Sequence, residues 1–154
     1  MTRLGIVLAA SLGLASTFAP APLAGQDVGV TGAAEATLPD GATFNGVPLK
    51  GLSLGQGIFI GQDGSAKGQF QAVLQGTSAL GSPQDILVEG EVSSGSAGDG
   101  TATFSGTANV SMGGTLSLTS VPFTVTAAAG SLGLILNGAA LPTATVTAGS
   151  IAMQ

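Results

Sequence analysis

The stretch GTATFSGTANVSMGG, residues 100–114, alternates polar and apolar side chains without interruption. Successive side chains of a β-strand point to opposite faces, so this period of two predicts a strand with one solvated and one buried face. We expect Phe104, Val110 and Met112 to lie in the core. The opposite row is either the wet side of a central strand or a functional surface. That polar row consists of Thr101, Thr103, Ser105, Thr107, Asn109 and Ser111.

The same alternation continues on both sides of this stretch, where short turn sequences separate it into segments. Residues 93–100, SSGSAGDG, read as a flexible connection, and Gln56 is a polar exception in an otherwise apolar register. Further strands are predicted near residues 28–38, 52–60, 70–74, 86–92, 116–125, 132–136 and 144–153, with turns at 39–41, 62–65 and 137–138.

Two changes of phase predict β-bulges, because one extra residue reverses the parity of a strand. The first lies near Ser120, and the second is expected at Gly149–Ser150. Pro122 cannot donate a backbone hydrogen bond, so its strand should be at an edge or broken there. The pattern predicts an all-β fold, a single antiparallel β-sandwich or small closed β-barrel of about eight or nine strands. We favour the sandwich slightly.

The N-terminal segment has the order of a secretory signal peptide: a basic start at Arg3, an uncharged apolar run over residues 4–19, then small residues and prolines. Cleavage is expected after Ala24 or Gly25. Gln26 stands where a bacterial lipoprotein would carry its lipidated cysteine, so no acyl anchor is expected. We therefore predict a cleaved signal peptide over residues 1–25, a single all-β domain over 26–154, a bacterial source, and a secreted or periplasmic location.

Composition excludes several classes of function. Only 7% of residues are charged and the net charge is −5, which does not attract nucleic acid. The chain lacks His, Cys, Trp and Tyr, which removes the commonest general base, thiolate nucleophiles and the commonest metal ligands. An outer-membrane barrel would need girdles of aromatic residues, and only five Phe follow the leader. We predict no cofactor, no metal and no integral membrane segment after cleavage of the leader.

Glu89 and Glu91 are the best candidate carboxylate pair. Two apart on a strand, they point the same way and lie roughly 6.6–7 Å apart along the backbone, which falls within the range for an inverting glycosidase. They share the face opposite Ile86, Val88 and Val92, which is the solvent side. We expect them to be a solvated strand face rather than a catalytic pair.

The remaining candidates are turn residues and hydroxyl rows. Asp63 and Asp99 each precede a glycine, and we expect them to serve as turn residues rather than calcium ligands. A serine nucleophile would have to use Lys50 or Lys67, and neither lies in a recognisable motif. Flat T-x-T arrays can order water on ice-binding surfaces, but threonine also has a high strand propensity. The last such row consists of Thr143, Thr145 and Thr147.

These observations predict a secreted, non-catalytic β domain with a surface, structural or binding role. Its partner is unidentified, and a cell-surface or protein partner could add a strand to an exposed sheet edge. The alternatives are a small barrel that carries a hydrophobic ligand and, less favoured, a glycoside hydrolase or an ice-binding surface.

Overall fold

The computed structural model describes residues 27–113 and 115–154, so the predicted leader at residues 1–25 lies outside the described part of the chain. The described residues form ten β-strands. Within these ranges there is no helix of the length and apolarity that a membrane span requires. The strands are β1 (Val28–Thr37), β2 (Thr43–Phe44), β3 (Val47–Ile60), β4 (Ser65–Gly76), β5 (Ile86–Gly98), β6 (Thr101–Met112), β7 (Thr115–Ala128), β8 (Ser131–Leu136), β9 (Ala139–Ala140) and β10 (Ala144–Met153).

Eight of these strands pair side by side in a closed ring. The order is β1, β3, β4, β5, β6, β7, β8 and β10, and β10 pairs back with β1. Every pairing is antiparallel, and β2 and β9 are two-residue additions to β3 and β8. The all-β, antiparallel prediction is confirmed, and the ring closes as a barrel rather than separating into the two sheets that were slightly favoured. Periodicity could not decide this because both folds bury one face of each strand.

The inward register of every ring strand builds one core, and the opening stretch behaves as predicted. Phe104 and Val110 are completely buried, and Met112 is half-buried. The rings of Phe104 and Phe123 lie on either side of the Phe70 ring, with centroid distances of 6.0 and 5.7 Å. Each of these aromatic side chains contributes about 1.5–3 kcal/mol by its transfer from water. β6 pairs with both β5 and β7 along its length, so it has a neighbour on each side, as expected for the non-edge strand that its alternation indicated.

The predicted connection over residues 93–100 is instead the second half of a strand. β5 continues to Gly98 and pairs with β6 as far as Thr101. A register shift between Val92 and Ser94 changes the parity of β5 and hides the alternation in the sequence. The true turn is only Asp99–Gly100, where both residues have positive φ, 55° and 76°.

Both predicted bulges exist, but one is displaced. Ser120 adopts φ 53°, and its N–H donates to Asn109 Oδ1 at 3.0 Å, which holds the bulge of β7 against β6. In β10 the shift falls at Thr147 rather than at Gly149–Ser150, because Val146 and Ala148 pair with consecutive residues of β1. The hydroxyl of Thr147 donates to the carbonyl of Glu35 at 3.3 Å, so the extra residue is tied to the neighbouring strand.

Charge is divided between two halves of the barrel. Every Asp, Glu, Lys and Arg of the chain lies before residue 100. The strands β1, β3, β4 and β5 are contiguous in the ring, and we call them the charged half. The strands β6, β7, β8 and β10 form the other contiguous arc, and we call them the uncharged half because they contain no charged side chain.

Candidate functional site

A polar groove crosses the outer face of β4, β5 and β6 at the middle of the barrel wall. Because the three strands pair in register, the outward side chains of the groove form two rows, and each row has one residue from each strand. The groove has a volume of about 480 Å³, and Ser120 at the bulge of β7 lies at one end of it. The first row is Gln69, Glu91 and Thr107, and the second row is Gln71, Glu89 and Asn109.

The groove is concave because small residues replace large ones directly beneath it. Gly90 lies between the two glutamates with its Cα toward the core, and a Cβ there would lie 2.6 Å from Cε1 of Phe123. Gly90 pairs with Ala108 on one side and Phe70 on the other. Since neither Gly90 nor Ala108 fills the inner layer with a long side chain, the sheet rests directly on the stacked rings of Phe70 and Phe123. The backbone of these strands forms the floor of the groove.

The groove offers hydrogen-bonding groups and negative charge. Glu89 and Glu91 are both exposed, and no lysine or arginine lines the groove to neutralise them. Asn109 uses its Oδ1 atom to accept from Ser120, which leaves its amide donors for other partners. Two carboxylates that only accept therefore stand beside carboxamides and a hydroxyl that can donate.

Catalysis would require more than this pair of glutamates shows. Glu89 and Glu91 do share one face of β5 as predicted, at the spacing that a strand imposes. A glycosidase places one carboxyl in an apolar enclosure so that it stays protonated near neutral pH. Here both side chains are exposed and their neighbours across β4 and β6 are polar. The expectation of a non-catalytic strand face stays a prediction.

The predicted hydroxyl row of the C-terminal strand is not a single flat array. Thr143 precedes β10, Thr145 lies in the regular part of the strand, and Thr147 is itself the extra residue of the bulge. Thr143 contributes to a separate hollow of about 300 Å³, together with Thr124 and Thr126 of β7. Bulge and barrel curvature thus separate residues that the T-x-T pattern placed in one plane.

On β6 and β7 the hydroxyl rows face each other across the strands. Ser105 and Thr124 are hydrogen-bonded with their oxygens 3.0 Å apart, and Thr103 and Thr126 lie 3.5 Å apart. Hydroxyl groups that hydrogen-bond to one another keep the outer face of these two strands polar without adding charge. The ice-binding alternative remains a prediction.

The predicted turn aspartate Asp63 is indeed held in a turn. Its carboxylate accepts from the hydroxyl of Ser65 at 2.6 Å and from the N–H of Ser65 at 3.0 Å. These hydrogen bonds, the hydroxyl first, lower the pKa of Asp63 below its ordinary value of 3.8. Among the described residues, no three His, Cys, Asp or Glu side chains come together as a metal site would require.

Gln56 is the polar exception that the sequence flagged, and it points into the barrel. Its side chain is 9% exposed, and neither its amide nitrogen nor its amide oxygen has a hydrogen-bond partner. Gln56 pairs with Gly32 on β1 and Phe70 on β4, so an apolar ring and a glycine occupy the adjacent positions. A buried amide in this state costs about 1–3 kcal/mol.

Comparison with protein-family models, with curated proteins and with solved structures finds no match. The functional argument therefore depends on the groove and its chemistry.

Sequence reasoning identified the glutamate pair and missed its companions. Asn109 belongs to the polar row of the opening stretch, but nothing in the sequence pattern joins it to Gln69 and Gln71 on β4. The missing step was register, because only the pairing of β4 with β5 and of β5 with β6 joins three faces into one groove. The signal was the coincidence of three polar registers at the centres of three successive strands.

Proposed function

We propose that the protein is a non-catalytic binding domain exported from the cytoplasm, and that the groove over β4, β5 and β6 is its binding site. The observation that carries the proposal is the alignment of carboxylates, carboxamides and hydroxyls from three strands in one concavity of about 480 Å³. That volume falls within the range of small-molecule sites, about 300–1,000 Å³.

The lining supports a neutral, polyhydroxylated ligand such as a segment of a glycan chain. Each sugar hydroxyl both donates and accepts, so it can bridge a carboxylate of Glu89 or Glu91 to an amide of Gln69 or Gln71. Hydrogen bonds to ionised carboxylates are stronger than those between neutral groups. The same two charges disfavour phosphorylated or acidic ligands. The groove has no Trp or Tyr to stack on a sugar ring, so we expect specificity from hydrogen bonds and affinity in the weak range.

The test is calorimetric or NMR titration with neutral linear oligosaccharides, using an acidic oligosaccharide as the charge control. Gln71→Ala and Glu89→Gln should each weaken binding by about tenfold, which corresponds to about 1.4 kcal/mol. Ser96→Ala removes an exposed hydroxyl from the same strand outside the groove and should leave binding unchanged. Binding that survives both groove substitutions, or that prefers the acidic ligand, would contradict the proposal.

Export is tested separately by fractionation of the source cells. We expect the protein in the culture medium or the periplasm, with a mature N-terminus following Ala24 or Gly25. Recovery of the protein in the cytoplasm with Met1 intact would refute the export part of the proposal without touching the groove.

Glycoside hydrolysis is distinguished by chromogenic substrates. If Glu89 were a general acid or base, the wild type would release chromophore and Glu89→Gln would not. Our proposal expects no release by either protein. The hydrophobic-carrier alternative predicts instead that a lipophilic fluorophore binds and is displaced without any effect of Gln71→Ala.

A further inference from the structure

The short strand β8 leaves the neighbouring strand β10 without a partner along most of one edge. β10 pairs with β8 only at Ala144 and Thr145, and the N–H of Val146 makes the last contact on that side, to the carbonyl of Gly130 at 3.0 Å. Among the described residues, no strand pairs with that edge of β10 beyond this point. Residues 147–150 are all exposed to solvent.

The pairing with β1 shows which backbone groups point to this open edge. Gly29 and Gln154 exchange both backbone hydrogen bonds, at 2.7 and 2.9 Å. Antiparallel strands alternate between pairs that exchange such bonds and pairs that do not. Counting back from Gln154 along the regular register, the N–H and C=O groups of Met153 and Ile151 point away from β1, and Gly149, whose φ is 78°, occupies the next position of the same register.

An open strand edge normally carries a device that prevents another strand from pairing with it. Lysines, inward charges and prolines serve this purpose in natural sheets. Residues 144–154 contain no charged residue and no proline. A β-bulge can also protect an edge, and the one in β10 lies at Thr147, before the residues that carry the free edge groups. From Gly149 to Met153 the edge therefore has donors and acceptors in place and neither charge nor proline to repel an added strand.

The charge distribution indicates what the added strand is. The chain has a net charge of −5, and every charged side chain lies before residue 100, outside the uncharged half. Two copies that meet through β10 bring together strands without charged side chains, and the adjacent strand β1, which carries Glu35 opposite Ala148, lies on the side of β10 away from the interface. Contact through any part of the charged half would bring like charges together. A second copy thus fits this edge and not the opposite side of the barrel.

We infer that the protein forms a two-fold symmetric dimer in which β10 of one copy pairs antiparallel with β10 of the other. With Ile151 opposite its symmetry mate, Gly149 of each copy lies opposite Met153 of the other. The residues of each strand in this edge-facing register then exchange their backbone hydrogen bonds across the interface. This pairing is independent of the groove, which lies on β4, β5 and β6.

Residue-resolved hydrogen exchange tests the inference on the purified wild-type protein. The amides of Gly149, Ile151 and Met153 should exchange at least about tenfold more slowly at high protein concentration than at high dilution. The amides of Ser150 and Ala152 face β1 and should be protected equally at both concentrations. This alternating, concentration-dependent pattern is specific to strand addition at the β10 edge.

Sedimentation velocity of a matched pair of variants provides the second measurement. Ser150→Lys places two lysines diagonally across the two-fold axis, about 7–8 Å apart, and should convert the dimer into a monomer. Thr126→Lys makes the same change of charge in the uncharged half, at an exposed residue of β7 where that strand pairs on both sides, and should remain a dimer.

A wild type that sediments as a monomer at every concentration overturns the inference, as does a dimer that survives Ser150→Lys. Uniform exchange along β10 at both concentrations overturns it even if Ser150→Lys fails to fold. The ligand titration of the groove and the dimer tests on β10 use different residues. A negative outcome in one of them therefore refutes only its own proposal.

Discussion

The two halves of the barrel keep the same kind of core but solvate their outer faces differently. The charged half, β1, β3, β4 and β5, uses carboxylates and carboxamides, and it holds most of the groove lining. The uncharged half, β6, β7, β8 and β10, uses serine and threonine hydroxyls that pair across strands, as Ser105 and Thr124 do. Charge keeps strand edges and faces apart from other chains, whereas hydroxyls solvate without repelling. This difference underlies the two proposals: a small polar ligand on the charged half and a second copy on the uncharged half.

The largest effect is expected from a pair of glycines, one in each half. Gly90→Ala places a Cβ 2.6 Å from the Phe123 ring, which is buried and stacked on the buried ring of Phe70. We expect a loss of about 1–3 kcal/mol in the free energy of unfolding. Gly133→Ala in β8 meets nothing closer than 3.8 Å and should be neutral or stabilise by about 0.5–1 kcal/mol. Denaturant titration of both variants measures the difference, and equal destabilisation would contradict the account of the groove floor.

A smaller change in stability is expected from the buried amide in the core of the charged half. Gln56, in the charged half, is the one buried polar side chain among the described residues. Gln56→Met keeps its approximate shape and removes an amide without partners, so we expect stabilisation by about 1 kcal/mol. Leu54→Met, at the adjacent inward position of β3, is the control and should cost less than about 1.5 kcal/mol. Marked destabilisation by Gln56→Met would mean that the amide makes a bond that contributes to stability.

The smallest effect is the loss of stability at low pH that comes from Asp63. The pKa of Asp63 is lowered by its hydrogen bonds from Ser65, so its contribution to stability is present above pH 3.8 and is lost as pH falls through the lowered value. Ser65→Ala should raise the pKa of Asp63 toward its ordinary value, as measured by carboxyl NMR titration. Ser96→Ala should not change it. Since β7 and β8 contain no titratable side chain and pair only with strands that contain none, their amide shifts should stay nearly constant over the same acid range.

The positions of most strands along the chain and the core residues could be predicted from the sequence because the period of two is visible wherever a strand has one buried face. Phe104 and Val110 were placed in the core on that basis alone. The failures share a cause, which is a change of parity within a strand. The shift at Val92 and Ser94 concealed half of β5, and the bulge at Thr147 was placed two residues late.

Closure of the ring and the groove depended on register, which a single strand does not encode. Nothing in the sequence near Glu89 shows that Gln71 and Asn109 flank it, since those contacts join residues from three strands. The open edge of β10 follows in the same way from the length of β8, a strand of six residues beside one of ten.

The measurement that tests the division between the halves most directly is a backbone amide NMR map of one sample followed through two titrations. Dilution of the protein should move the amides of β10 in the uncharged half, centred on Ile151, and leave the groove residues unchanged. Addition of a neutral oligosaccharide should move Gln71, Glu89 and Asn109 and leave β10 unchanged. Two separate sets of perturbed residues are the predicted result. Overlap of the two sets, or a dilution effect centred on the charged half, would contradict the account.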